Sequence, residues 1–155
     1  MATKKPNPYI GHDGDAPGKR AGTEKLVWLC QRRWGAANWG TWQVRPIRGS
    51  KLPSVHGTGR ALDIFIADKD LKDEAIAWFT RPDVVKTLGV QAVHVYRCKE
   101  SAYGKGWRIG RGWKIWTKTN NGGTPGAQHI HLEIDNSLAD DPDAMLKAWK
   151  SLPRR

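Results

Sequence analysis

The chain is poor in cysteine, with only Cys30 and Cys98 among its 155 residues, and the two do not form a short paired motif. A disulfide-stapled scaffold and a Cys-x-x-Cys metal or redox motif are thereby excluded. Cys30 falls on the apolar face of an expected helix and Cys98 at the end of an expected strand. Two reduced thiols are expected, with Cys30 a small core residue, and nothing supports a Cys30–Cys98 disulfide. Long apolar runs are also missing. None approaches the roughly 20 residues that cross a bilayer, so no membrane insertion is expected. The stretch Met1–Ile10 has positive charge but no apolar segment behind it, which argues against a secretory signal. Synthesis and folding in a cytoplasm are expected, and action outside would need another agent to release the protein. Internal repeats are absent. Acidic residues are few, 15 against 26 Lys and Arg, which leaves a net charge of +11.

At 39% hydrophobic and 26% charged residues, the composition is that of one ordinary domain able to bury a core. A field of +11 concentrates the protein on polyanions such as nucleic acid, anionic membranes, or a bacterial wall with its teichoic acids and peptide carboxylates. Charge alone does not choose among them. No readable groove-binding element accompanies it, so no specific nucleic-acid partner is expected.

Residues 1–21, rich in Pro, Gly, Lys and Asp, read as an extended or poorly ordered arm preceding one domain over 22–155. His12 and Asp13 lie in it and read as a solvated turn. Thr23–Arg33 is predicted helical, with Thr23 as N-cap and Gly35 beyond the end. Trp39–Ile47 is rich in β-formers and predicts a strand. Ala61–Ala67 predicts a buried strand in which Leu62, Ile64 and Ile66 alternate with Asp63 and Phe65. Lys69–Phe79 predicts a helix capped by Asp68 or Asp70, and Arg81-Pro82-Asp83 opens a short one ending at Gly89. Val90–Arg97 and His129–Ile134 predict further strands. A closing helix starts from Asp141 with Pro142 in its first turn and buries Met145, Leu146 and Trp149. Between these, Cys98–Lys118 is basic and aromatic, and Asn120–Gly126 is a Gly-rich link. Helices mixed with nonlocal strands predict an α+β fold around a small antiparallel-dominated sheet with flanking helices.

The chemistry concentrates in Ser54-Val-His-Gly-Thr-Gly-Arg-Ala-Leu-Asp63 and, far downstream, His129-Ile-His131. Two imidazoles and a carboxylate are a ligand set for an open zinc site, in which three protein ligands leave a fourth position free. His56 and Asp63 lie seven residues apart, unlike the i, i+4 spacing of helical zinc ligands. A Gly-bearing loop that delivers His56 and feeds the strand of Asp63 suits that spacing, with Gly57 and Gly59 free to take turn dihedrals. Period-two alternation points His129, His131 and Glu133 to one face, so one imidazole can ligate while its neighbour meets the substrate side. Ile130 and Leu132 then face the core. His94, on another strand, reads as a sheet histidine.

The pattern Ser54, His56, Gly59, Ala61, Asp63, followed by His129 and His131, resembles the zinc peptidase superfamily that unites lysostaphin-type endopeptidases, D-Ala-D-Ala peptidases and hedgehog. With Arg45-Pro-Ile-Arg48-Gly-Ser50, it is also similar to peptidase domains of actinobacteriophage endolysins, over roughly residues 40–135. The resemblance implies a hedgehog/D-Ala-D-Ala peptidase-like fold and a Zn2+ held by His56, Asp63 and His131. His129 would then be the non-ligating partner at the scissile bond. It also points to Arg45 as a substrate-binding residue, against the plain reading of Arg45 and Arg48 as solvated charges. Members of the carboxypeptidase branch carry a Glu shortly before the last His, where this chain has Thr124-Pro-Gly-Ala-Gln128 and no acid. The general base is then His129, with Glu133 the other candidate. Ser54 is expected to hydrogen-bond in the loop that positions His56.

The expectation is a monomeric zinc peptidase of a phage endolysin, cutting a stem-peptide or crosslink amide in bacterial peptidoglycan. Which bond is cut stays open. Competing readings are a non-catalytic zinc module that binds walls or proteins, as in hedgehog, and a basic nucleic-acid-binding protein with incidental histidines. The stretch Tyr103–Trp116, where Lys105, Arg108, Arg111 and Lys114 interleave with Trp107, Trp113 and Trp116, reads first as a hairpin packing Trp on the core under a basic surface. Wall binding and single-stranded nucleic acid are its other readings.

Overall fold

A computed structural model describes residues 8–120 and 124–155. The elements run α1 (Ala21–Trp34), β1 (Ala37–Gly40), β2 (Ala61–Phe65), α2 (Lys69–Phe79), α3 (Pro82–Leu88), β3 (Val90–Val95), β4 (Lys105–Arg108), β5 (Gly112–Ile115), β6 (Ile130–Ile134) and α4 (Pro142–Ser151). The strands form one sheet in the order β1-β2-β6-β3-β4-β5, with every neighbouring pair antiparallel. The α+β class and the antiparallel sheet expected from the sequence are therefore present. No helix among the described residues is long and apolar enough to cross a membrane.

Alternation along the strands sorts the two faces of the sheet. Leu62, Ile64, Val93, Val95, Ile130, Leu132 and Ile134 join one buried apolar cluster with residues of all four helices, among them Leu26, Phe79, Leu88 and Met145. A bulge between Val90 and Ala92 lets Val90 face the same core despite its odd spacing from Val93. The opposite face carries Asp63, His131 and His94 in one row, because Asp63 pairs with His131 and His131 with His94 across β2, β6 and β3.

Capping follows the sequence at two helices. Asp68 accepts from Leu71 N (2.9 Å) at α2, and Asp141 accepts from Ala144 N (2.9 Å) at α4, where Pro142 opens the helix. Two expectations are corrected. Thr23 is no cap: α1 begins earlier, and the Ala139 carbonyl accepts from Gly22 N and Thr23 N (2.7 and 3.1 Å). That carbonyl satisfies the first free N–H groups of the helix, so the Thr23 hydroxyl donates instead to Gly59 O (2.7 Å) and ties α1 to the loop of His56. The strand expected over Trp39–Ile47 ends at Gly40, whose φ of 125° turns the chain out of the sheet. Beyond it only an isolated bridge joins Pro46 to Pro53, two residues without a backbone N–H to donate.

The basic aromatic stretch is a hairpin. Trp107 pairs with Trp113 across β4 and β5, and Trp107 packs against the core. Cys30 is buried and Cys98 half-buried, and both are free thiols. Burial pushes the Cys30 thiol well above its ordinary value.

Candidate metal centre

Each of the three expected ligands is held by a different device. His56 sits in a single 3-10 turn, Val55–Thr58, that Ser54 caps: its hydroxyl accepts from His56 N (3.3 Å). The Nδ1 of His56 lies 2.7 Å from Thr41 O, so it carries the proton and leaves Nε2 for a ligand. Asp63 is fixed by the β2 ladder and His131 by β6. Their donor atoms converge. His56 Nε2 lies 3.1 Å from Asp63 Oδ2, His131 Nδ1 lies 3.0 Å from Asp63 Oδ1, and the ligand atoms of all three lie within 4.8 Å of one another. An ion bound tetrahedrally at about 2 Å needs donors about 3.3 Å apart, so the set fits with small adjustments.

The outer partners fit as well. His131 Nε2 lies 2.9 Å from Glu133 Oε1, which orients the ring with Nδ1 towards Asp63. The Tyr9 hydroxyl donates to the other oxygen of Glu133 (2.7 Å). A ligating histidine whose second nitrogen donates to a carboxylate or a carbonyl is the usual support of a metal site, and both imidazoles have it.

Electrostatics gives the strongest argument that this group can hold a cation. Glu133 is 4% exposed and Asp63 is mostly buried, yet among the described residues neither carboxylate pairs with Lys or Arg. Buried carboxylates without a cation are costly. Burial would raise the Asp63 carboxyl, but hydrogen bonds from His131 and His56 outweigh it and hold it far below the carboxylate range. Glu133 is likewise brought down to about 2, its burial outweighed by His131. Burial draws His131 down, while Tyr96, Asp63 and Glu133 push it well above an ordinary histidine. The site stabilises positive charge between two carboxylates, which is the field a divalent ion would meet.

His129 completes the ring around Asp63, with Nε2 3.6 Å from Oδ1. Burial keeps its pKa below the ordinary value, so the imidazole is neutral near pH 7. Tyr96 lies against it (ring centroids 4.8 Å), and Trp39, stacked on Phe65, stands 5.7 Å away. Trp39 is 52% exposed, so an apolar ring lies at the surface beside His129. His94 is buried at the far side of His131, its Nε2 without a hydrogen-bond partner among the described residues, and burial lowers its pKa to about 3.

Arg45 lies outside the cluster. Its guanidinium donates to Gln43 Oε1 (3.1 Å) in its own loop, while its carbonyl accepts from Ser54 N (2.9 Å). The glycines of the motif serve the arm more than the metal. Gly59 has φ 71°, and a Cβ there would meet the Arg20 side chain at 2.7 Å; a Cβ on Gly57, whose φ is ordinary, would meet Asp15 Oδ1 at 2.6 Å. Residues 8–20 of the arm are irregular but anchored. Ala16 N donates to Gly57 O (2.7 Å), Trp42 Nε1 to Ala16 O (3.0 Å), and fully buried Arg60 reaches Asp13 (3.0 Å) and Gly11 O. His12 pairs with Asp15 (2.8 Å), as a turn would.

Sequence reasoning did not find Thr41, Tyr96, Trp39 or Tyr9. Their only signal is residue type, for Tyr9, Thr41 and Tyr96 in irregular backbone and for Trp39 in the edge strand β1. A separate groove of about 930 Å³ opens between α2 and β3–β5, lined by Lys72, Arg97, Lys99 and Trp113 and by the pairs Lys69–Asp73 and Lys105–Glu100. It lies on the helix face, since Lys105 pairs with core-facing Val95 and Trp113 with Trp107. Neither a protein-family model, nor a curated protein, nor a solved structure matches the chain.

Proposed function

We propose that this protein is a zinc-dependent peptidase that hydrolyses an amide bond in the peptide part of bacterial peptidoglycan, with the hedgehog/D-Ala-D-Ala peptidase-like fold that its motif implies. The observation that carries the reading is the convergence of His56, Asp63 and His131, whose donor atoms lie within 4.8 Å of one another beside two carboxylates that no Lys or Arg among the described residues neutralises. Imidazole and carboxylate donors in this number suit zinc better than magnesium or calcium, which take oxygen ligands. A bound zinc supplies Lewis-acid polarisation of a carbonyl and a nucleophile at neutral pH.

The chain's own groups supply the remainder. His129, neutral and beside the ligands, is placed to accept a proton from the attacking water and return it to the leaving amine. Tyr96 is kept un-ionised by burial and packs against His129, fixing its plane. Glu133 is engaged by His131 and Tyr9, which suits an orienting carboxylate better than a general base. Trp39 offers a flat surface to a peptide entering beside His129. The charge of +11 favours an anionic wall, which is the setting of a phage endolysin made in a host cytoplasm and acting on the wall after release. Arg45, in the loop paired with Ser54, is proposed to bind a substrate carboxylate.

Metal analysis of the purified protein, with mass spectrometry of muropeptides from digested walls with and without a chelator, tests this reading. Stoichiometric zinc and chelator-sensitive release of new amine termini are expected. Wall binding without new termini would favour the non-catalytic module instead.

A further inference from the structure

The N-terminal arm reaches the centre through one side chain. Tyr9 lies 124 positions before Glu133, yet its hydroxyl donates to Glu133 Oε2 at 2.7 Å. Glu133 Oε1 lies 2.9 Å from His131 Nε2, and His131 Nδ1 lies 3.0 Å from Asp63. The chain of contacts therefore runs from arm to carboxylate to imidazole to the ligand cluster. At 4% exposure, Glu133 has little water to satisfy its second oxygen.

Several contacts hold Tyr9 in place. The Arg108 guanidinium stacks 3.9 Å over its ring. Ile10 N donates to Gln91 Oε1 (2.8 Å) at the bulge of β3. Gly11 O and Asp13 are gripped by buried Arg60, which also donates to Ile134 O (2.6 Å) at the end of the strand that bears His131 and Glu133. Burial, then Glu133, pushes the Tyr9 phenol well above its ordinary value, so the hydroxyl stays a donor.

We propose that Tyr9 is a positioning residue of the metal centre: it fixes the Glu133 carboxylate, which fixes the direction of His131 Nδ1, so that the arm is part of the site. The proposal rests on the metal reading above. Without the hydroxyl, one oxygen of a buried carboxylate loses a donor. The carboxylate is then free to rotate, and the lone pair of His131 is less well aimed.

Zinc affinity, measured by chelator competition, tests this in four proteins: wild type, Tyr9→Phe, Glu133→Gln and the double variant. Phenylalanine keeps the ring under Arg108, so only the hydroxyl is lost. Removal of an outer partner costs about 10- to 100-fold in metal affinity, which is the expectation for Glu133→Gln; Tyr9→Phe, one bond further out, is expected to lose about three- to tenfold. In the Glu133→Gln background the same change should cost less than about twofold, because its route is already broken. The visible spectrum of the cobalt-loaded Tyr9→Phe protein should shift, a change that the accompanying small drop in metal-free melting temperature, from the unsatisfied Glu133 oxygen, would not by itself produce. Wild-type affinity in Tyr9→Phe, or an equal loss in both backgrounds, would overturn the proposal. A wild-type protein that binds no zinc would overturn the metal reading itself and this inference with it.

Discussion

The two faces of the single sheet have opposite contents and opposite covers. One is apolar and lies under four helices, with Leu62, Ile64, Leu132 and Ile134 fully buried. The other holds Asp63, His131, His94 and Glu133 and lies under segments with little regular structure: the arm, the loop after Gly40 and the turn of His56. The same strands serve both, because alternate residues point opposite ways. The helix face supplies apolar burial. The site face concentrates buried polar groups whose cost is offset by one another and would be offset further by a bound cation. Stability and chemistry are thus separated by the thickness of a strand, and substitutions one residue apart should have unlike consequences.

The largest effect should come from the ligands. His56→Ala or Asp63→Asn should reduce metal affinity by more than about 100-fold, the upper effect of merely outer-shell changes, and abolish chelator-sensitive wall hydrolysis. Each also leaves a buried partner unpaired, so the metal-free protein should lose stability while keeping its secondary structure, as read by far-UV circular dichroism. Retained hydrolysis in either variant would dissolve the contrast between the faces. One position away, Leu132→Ala should cost about 2–5 kcal/mol of stability by opening a cavity under the helices. Denaturant titration should show that loss equally with and without metal. A loss seen only in the loaded protein would mean that the faces are coupled.

Metal removal tests the site face alone. At free zinc 100 times its Kd, binding to the folded state should add about 2.7 kcal/mol, seen as a lower melting temperature after chelation. His56→Ala should show no such shift.

The same division explains what could be read from the sequence. Periodicity marks the helix face, so α2 and α4 lie where the spacing of Leu71, Ala75, Trp78 and Phe79 and the Asp141-Pro142 start put them, although Leu71 in the first turn is exposed and only the other three reach the core. It also marks the row of Asp63, His131 and Glu133, since a strand exposes every second residue to one side. The cover of that row was not legible. The positive φ of Gly40 ends the strand expected to run to Ile47, and the carbonyl that then meets His56 belongs to Thr41, where any residue type would serve. Tyr9 lies in a stretch whose composition suggests disorder, and its partner is defined only by the folded chain. Glu133 was visible on the correct face, but its part in the site depends on which nitrogen of His131 it meets.

The smallest and most specific effect concerns protons. Both nitrogens of His131 face carboxylates, and Tyr96, Asp63 and Glu133 together overcome burial to hold its pKa well above the usual histidine value of about 6.5. Near pH 7 the metal-free imidazole therefore carries two protons. An ion at Nδ1 must displace one of them, while the other proton stays on Nε2, which donates to Glu133. Zinc affinity should rise about tenfold per pH unit until pH passes the raised value of His131. Calorimetry in two buffers of different ionisation enthalpy should report about one proton released per ion at pH 7. For stability the sign is reversed. The folded pKa exceeds the unfolded one, so this contribution to the metal-free protein is complete below about pH 6.5 and is lost as pH climbs through the raised value. Metal-free and zinc-loaded melting temperatures should therefore diverge as the solution becomes alkaline. If they run parallel and no proton is released, His131 is already neutral before the ion arrives, and the negative field assigned to Asp63 and Glu133 is weaker than their burial implies.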